Sequence, residues 1–189
     1  MEPKTSVIEM YEEARRYFIG EGILNKTLAR LSKDLEAHGI DYAVIGAAAL
    51  LAHGYPRFTE GIDLVMTGEG RRKFYNEFKS MADGVKVEVM TAGEYPGDGK
   101  PKPISMPRPA DAAVEINGIK FVTFEKLIEL KLASGISAPD RLKDLADVQE
   151  LIKIRKLDAD FALKLDPYVR AKYLELEEAV RKSESSQEK

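Results

Sequence analysis

Two carboxylates in this chain, Asp63 and Glu88, have the residue types and spacing for work on phosphate and metal. Residues two apart on a strand face the same side, so a strand over Ile62–Met66 turns Gly61 and Asp63 the same way. Val85–Met90 reads as a third strand, with Val85, Val87 and Val89 facing one way and Lys86, Glu88 and Met90 the other. Aspartates at both 61 and 63 could hold two divalent cations against a triphosphate. Glu88 would be the third carboxylate, able to bind metal and to take the proton from an attacking hydroxyl. Gly61 supplies no ligand, so Asp63 and Glu88 are the candidate catalytic and metal-binding pair. Glu60 is adjacent but faces the opposite side of a regular strand, and only a bulge would bring it round.

Upstream, a short apolar strand over Tyr42–Ile45 runs through Gly46 into a compact helix over Ala47–Ala52. Backbone N–H groups at such a helix start suit phosphate, which makes Gly46 and Ala47 candidate nucleotide-binding residues; small residues there also serve close packing. Arg57 either neutralises a phosphate or forms a loop ion pair with Asp63 or Glu88. His53 either closes the short helix as a hydrogen-bond donor or takes part in catalysis. Lys131, on an otherwise apolar helix face, either reaches a nucleotide or snorkels. Lys143, Asp144 and Asp147 either tie the C-terminal helices to the core or orient Lys131 or the substrate.

The run VIGAAALLAHGYPRFTEGIDL, from Val44 to Leu64, resembles the signature of the DNA-polymerase-β-like nucleotidyltransferases. It is most similar to the small bacterial and archaeal branch that includes AbiEii-type toxins. Gly46, His53, Gly54, Arg57, Thr59, Ile62, Asp63 and Leu64 carry the match. VKVEVMTAG resembles the strand of the third carboxylate and RLKDLADV a helix with a K-D-x-x-D pattern, so the resemblance spans about Asp41 to Ile152. It implies an α+β fold, a small mixed sheet flanked by helices with a helical C-terminal part. It also implies an NTP as ligand, Mg²⁺ or Mn²⁺ on Asp63 and Glu88, and Gly46, Ala47, Arg57, Thr59 and Lys131 around the nucleotide. The implied activity is transfer of a nucleotidyl group to a hydroxyl on RNA, a protein or a small molecule. The first metal-binding aspartate of that signature aligns with Gly61, and Glu88 stands where aspartate is usual. The transfer is therefore expected to be impaired, and the alternative is an inactive nucleotide- or partner-binding protein of toxin–antitoxin kind.

The elements that must position these residues are legible in the pattern. Ser6 and Glu9 form a capping-box signal for a helix to Phe18, followed by Gly20. Leu24, Leu28, Leu31 and Leu35 form the stripe of a second helix ending near His38-Gly39. A helix is expected over Gly68–Met81, with Phe74, Phe78 and Met81 on one face. Residues 92–111 hold five of the nine prolines and predict a non-helical flap or crossover beside the site. Asn117-Gly118 predicts a type I′ hairpin. Thr123 caps the helix bearing Lys131, and the run Ser137 to Asp140 reads as an S-x-x-D cap with Pro139 in the first turn. Asp158 and Asp166-Pro167 open the last helical pieces. The division expected is a helical extension over 1–39, the main domain over 40–155, packed C-terminal helices over 156–181, and a disordered tail over 182–189.

Composition narrows the classes. At 189 residues the chain can bury a sizeable core. It has no cysteine and two histidines, which leaves carboxylates as metal ligands and favours Mg²⁺ or Mn²⁺. A net charge of −3 argues against a dedicated nucleic-acid binder. No run is long and apolar enough for a membrane span, and the first residues lack a signal-peptide pattern, so the expected location is cytoplasmic. The N-terminal helices are expected to pack on the domain or to make a homodimer contact, and a small protein partner is the other candidate.

Overall fold

Residues 6–78 and 81–187 are described in the computed structural model of the chain. The architecture is α+β: a six-stranded mixed sheet flanked by helices, with a helical C-terminal part. The strands are β1 (Tyr42–Ile45), β2 (Gly61–Met66), β3 (Met81–Ala82), β4 (Val85–Thr91), β5 (Ala113–Ile116) and β6 (Ile119–Val122), ordered β3-β4-β2-β1-β6-β5. The pairs β1/β6 and β2/β4 are parallel; the other three pairs are antiparallel. The central β1 is buried at all four positions, as expected of a strand covered on both faces.

The helices are α1 (Val7–Phe18), α2 (Ile23–Ala37), α3 (Gly46–Ala52), α4 (Gly68–Glu77), the four-residue α5 (Pro109–Ala112), α6 (Phe124–Ser137), α7 (Leu142–Arg155) and α8 (Pro167–Gln187). In α2, Leu24, Leu28, Leu31 and Leu35 are all buried against the sheet, at roughly 1.5–3 kcal/mol each. α1 buries only Tyr17, so it is attached far more lightly. Its attachment includes an edge-on contact of Tyr17 with Phe58 at 5.3 Å and a cap, the Ile23 amide donating to Glu13 Oε1 at 2.7 Å. The capping box of Ser6 and Glu9 forms as expected. Among the described residues, no helix is long and apolar enough to cross a membrane.

Four local expectations need correction. α4 stops at Glu77, Phe78 is already extended, and Met81–Ala82 is strand β3. The cause is Asp83-Gly84, whose φ values of 51° and 80° make the primed turn that folds β3 back on β4; residues 79–80 lie outside the described residues. Ser137 is no N-cap: it is the last residue of α6, and its hydroxyl donates back to the Ala133 carbonyl at 2.8 Å. A 3-10 turn over Pro139–Arg141 leads from there into α7. The stretch over 92–111 is not wholly non-helical, because Pro109 opens α5 from its first position, where a missing N–H costs nothing. Finally, α8 continues through Gln187, so residues 182–187 of the expected disordered tail are helical, and residues 188–189 lie outside the described residues. Within that stretch the Ser185 and Ser186 hydroxyls donate back to the Arg181 and Lys182 carbonyls, one turn earlier, at 2.8 and 2.9 Å. The Asn117-Gly118 hairpin forms as expected, with φ of 52° and 75°.

Candidate functional site

A cavity of about 460 Å³ opens over the ends of β1, β2 and β4. Its floor is set by strand register. In the parallel pair β2/β4, Asp63 lies opposite Glu88 and Gly61 opposite Lys86. The pairing is unbroken from Gly61 to Met66, so no bulge brings Glu60 into the site. Glu60 is exposed and lines a separate cavity beside α1. Residue 61 therefore adds no side chain beside Asp63 and Glu88.

Asp63 is half-buried. Burial pushes its carboxyl up from the ordinary range and Glu88 adds to this, while Lys131, Lys86 and Arg57 pull the other way. Glu88 is more exposed and pairs with the Lys86 ammonium on the same strand. Gly46 stands over this pair. Its φ is +66°, and a Cβ there would fall 2.1 Å from Asp63 Oδ2. Only glycine allows both the left-handed turn and the close approach. Ala47 follows at the start of α3 and also lines the cavity. α3 has only seven residues, so its dipole is a minor part of any attraction for anions.

The opposite wall is built by α6 and α7. Lys131 is buried and donates to Asp144 Oδ1 at 2.8 Å and to Asp147 Oδ2 at 2.7 Å. Asp147 also takes Arg57, from the loop before β2. Burial works against the Asp144 carboxylate, yet the Lys131 ammonium and the Ser134 hydroxyl, which donates at 2.7 Å, more than offset it and hold its pKa below the ordinary value. Of the two alternatives, the structural one holds for Asp144 and Asp147. The aspartates tie α7 to the core, and in doing so they orient Lys131 and Arg57 at the cavity. Lys143 is exposed and lines no part of it.

Arg57 pairs with Asp147, not with Asp63 or Glu88. Thr59 lines the cavity, but its hydroxyl is occupied by the backbone of Gly61, 3.2 Å from the carbonyl. His53 lies outside the site. Its Nε2 bonds the Val122 carbonyl at 2.8 Å, and burial lowers its pKa, so it is a structural donor between α3 and β6.

The structure adds residues that sequence reasoning missed. Tyr95, Pro96, Gly97 and Met106, from the proline-rich stretch, close one side of the cavity, and Arg141 adds a cation from the turn before α7. The stretch is held by Gly93 and Met106, joined backbone to backbone at 2.8 Å, and by Lys102 reaching the Pro96 carbonyl at 2.7 Å. Gly97 packs so tightly on α6 that a Cβ would meet Ser137 Oγ at 2.3 Å. Proline density signalled a stretch beside the site, but nothing in the sequence said which residues face inward.

Among the described residues, no group of three or more metal-capable side chains shares one point. Asp63 and Glu88 could together hold one small hard cation. They do not make the three-carboxylate set of a two-metal centre. The lining includes three cations, Arg57, Lys131 and Arg141, and three carboxylates, Asp63, Glu88 and Asp144. The cavity by itself therefore has no net charge with which to draw in a polyanion.

No protein-family model matches the chain, and no curated protein matches it. Among solved structures it is similar to an antigenic nucleotidyltransferase-like protein from Paracoccidioides brasiliensis, at 20% identity and a TM-score of 0.43 over 68% of this chain and 74% of that one. It is also similar to a candidate nucleotidyltransferase from Thermotoga maritima, at 18% identity and a TM-score of 0.37 over 82% of this chain and 97% of that one.

Proposed function

We propose that the cavity is a nucleotide site of nucleotidyltransferase type in which binding outlasts efficient transfer. The observation that carries this is the Asp63–Glu88 pair facing Arg57, Lys131 and Arg141 across one cavity, beneath a glycine turn that admits no side chain. Carboxylates beside cations suit a triphosphate accompanied by a divalent cation: the carboxylates would hold the cation, and the basic groups would meet phosphate oxygens. Bound Mg²⁺ or Mn²⁺ would supply charge neutralisation of the phosphates. Asp63 and Glu88 would hold it, Arg57 and Lys131 would orient the phosphates from fixed positions, and Gly46 and Ala47 would offer backbone at the turn. Thr59 holds the start of β2, and its role toward nucleotide is indirect. Phosphoryl-type transfer depends on positioning and charge neutralisation, so the gap at Gly61 weakens transfer to any hydroxyl acceptor more than it weakens binding.

The test is calorimetric titration of ATP, GTP, CTP and UTP with Mg²⁺ on the unaltered chain and on Gly61→Asp, with turnover of labelled NTP measured on both. The expected result is Mg²⁺-dependent binding by the unaltered chain, negligible turnover, and tighter binding by Gly61→Asp. A Cβ at 61 comes no nearer than 3.3 Å to the Lys86 carbonyl, so the carboxylate needs only a small adjustment. If neither protein binds any nucleotide, the reading fails. Turnover by the unaltered chain would overturn the impaired-transfer part alone. The AbiEii-type resemblance supports a toxin–antitoxin setting for the same site, which co-purification with the product of an adjacent gene would test.

A further inference from the structure

α1 presents large apolar side chains to solvent: Val7 is 82% exposed, Ile8 74% and Tyr11 73%, with Phe18 and Ile19 also exposed. At about 3.6 residues per turn these fall in two adjacent stripes. Val7, Tyr11, Ala14 and Phe18 form one, at i, i+4, i+7 and i+11. Ile8, Glu12, Arg15 and Ile19 form the other at the same spacing. The side facing the rest of the chain is a different one, marked by buried Tyr17 and by Glu13, which caps α2.

The order within the stripes identifies what covers them. The second reads apolar, acidic, basic, apolar, and its reversal about a two-fold axis is its own complement. Ile8 then meets Ile19 of a second copy, and Glu12 meets Arg15, each pairing occurring twice. The first stripe reverses about a centre one residue earlier, about 1.5 Å along the helix axis, so in the same antiparallel pairing Tyr11 still falls near the small Ala14 and Val7 near Phe18. Parallel pairing would instead set Glu12 on Glu12 and Arg15 on Arg15. Neither residue forms an ion pair inside the chain among the described residues. We infer that α1 is a homodimerisation helix, pairing antiparallel with α1 of a second copy through an isologous contact. An unrelated partner would not require that self-complementary order.

The test is sedimentation equilibrium of the full chain over a concentration series, with Glu12→Arg, Arg15→Glu and an equimolar mixture of the two variants. The unaltered chain is expected to dimerise reversibly. Each single swap places like charges opposite one another twice and raises the dissociation constant at least about tenfold. The mixture restores opposite charges at every pairing and recovers dimer as heterodimer. Circular dichroism checks that each variant keeps its helix content, and recovery in the mixture distinguishes lost charge matching from a weakened helix. A monomer at every concentration, a dimer indifferent to both swaps, or a mixture no tighter than its components would each overturn the proposal. A stable complex with a different protein through this face, with no self-association, would also overturn it.

Discussion

Gly46 and Asp63 cannot both keep their places if residue 46 carries a side chain: the added Cβ would fall 2.1 Å from Asp63 Oδ2 on a backbone with φ of +66°. Gly46→Ala therefore meets two costs, the left-handed conformation and the collision. Together these predict a loss of about 2–4 kcal/mol in unfolding free energy. The surviving folded protein should have its Asp63 carboxylate displaced and its Mg²⁺-dependent nucleotide affinity reduced. Urea denaturation and nucleotide titration measure the two effects. Unchanged stability in the alanine variant would show that the close approach is not real.

Asp63 gives a pH signature. Burial, then Glu88, raises its pKa in the folded chain above that in the unfolded one, so the native state holds the proton more tightly. Ionised Asp63 then lowers stability above its raised pKa, and this penalty disappears as pH falls below the ordinary aspartate value of about 3.9. Asp63→Asn is expected to be more stable than the unaltered chain at neutral pH, with the difference shrinking towards acid, and to lose Mg²⁺-dependent binding. Unfolding free energies of both proteins across pH decide this. A variant less stable at neutral pH would show that Asp63 is held by favourable contacts instead.

Asp147 answers two cations at once, Arg57 and Lys131. Removing one partner of a buried ion pair leaves uncompensated charge. Asp147→Ala is accordingly expected to cost about 3–5 kcal/mol and to loosen both cationic groups, weakening nucleotide binding even though residue 147 is not in the cavity lining. Asp144→Asn should cost less, because Lys131 keeps Asp147. Its cost should fall away as pH drops through the lowered pKa of Asp144, since a depressed carboxylate contributes stability only above that range. Equal costs for the two variants at neutral pH would contradict the shared role of Asp147.

The floor of the site was legible because strand periodicity is local. Asp63 and Glu88 two residues from Gly61 and Lys86 fix which side chains share a face, and the parallel register sets the two carboxylates directly opposite. Element type was legible for the same reason at α2, β4 and the Asn117-Gly118 hairpin. The walls were not. Arg57 and Asp147 are 90 positions apart, and no spacing rule pairs a loop arginine with one aspartate among several on α7. Ser137 misled because a serine three residues before an aspartate signals a cap, while its hydroxyl found a helix carbonyl one turn back. The end of α4 was missed because Phe78 and Met81 keep helical spacing, and Asp83-Gly84 carried the overriding turn signal.

The Arg57–Asp147–Lys131 triad bears on how this chain can vary over time. A neutral residue at 147 leaves the half-buried Arg57 without its partner and the buried Lys131 with Asp144 alone, whereas loss of either cation leaves the other still matched to Asp147. Change at the three positions should therefore be directional: drift can begin at 57 more readily than at 147, and a lineage that replaces the aspartate should already have changed Arg57. Variants of this chain would show that order as epistasis, with Asp147 substitutions better tolerated in backgrounds where Arg57 is already uncharged, since Lys131 keeps Asp144.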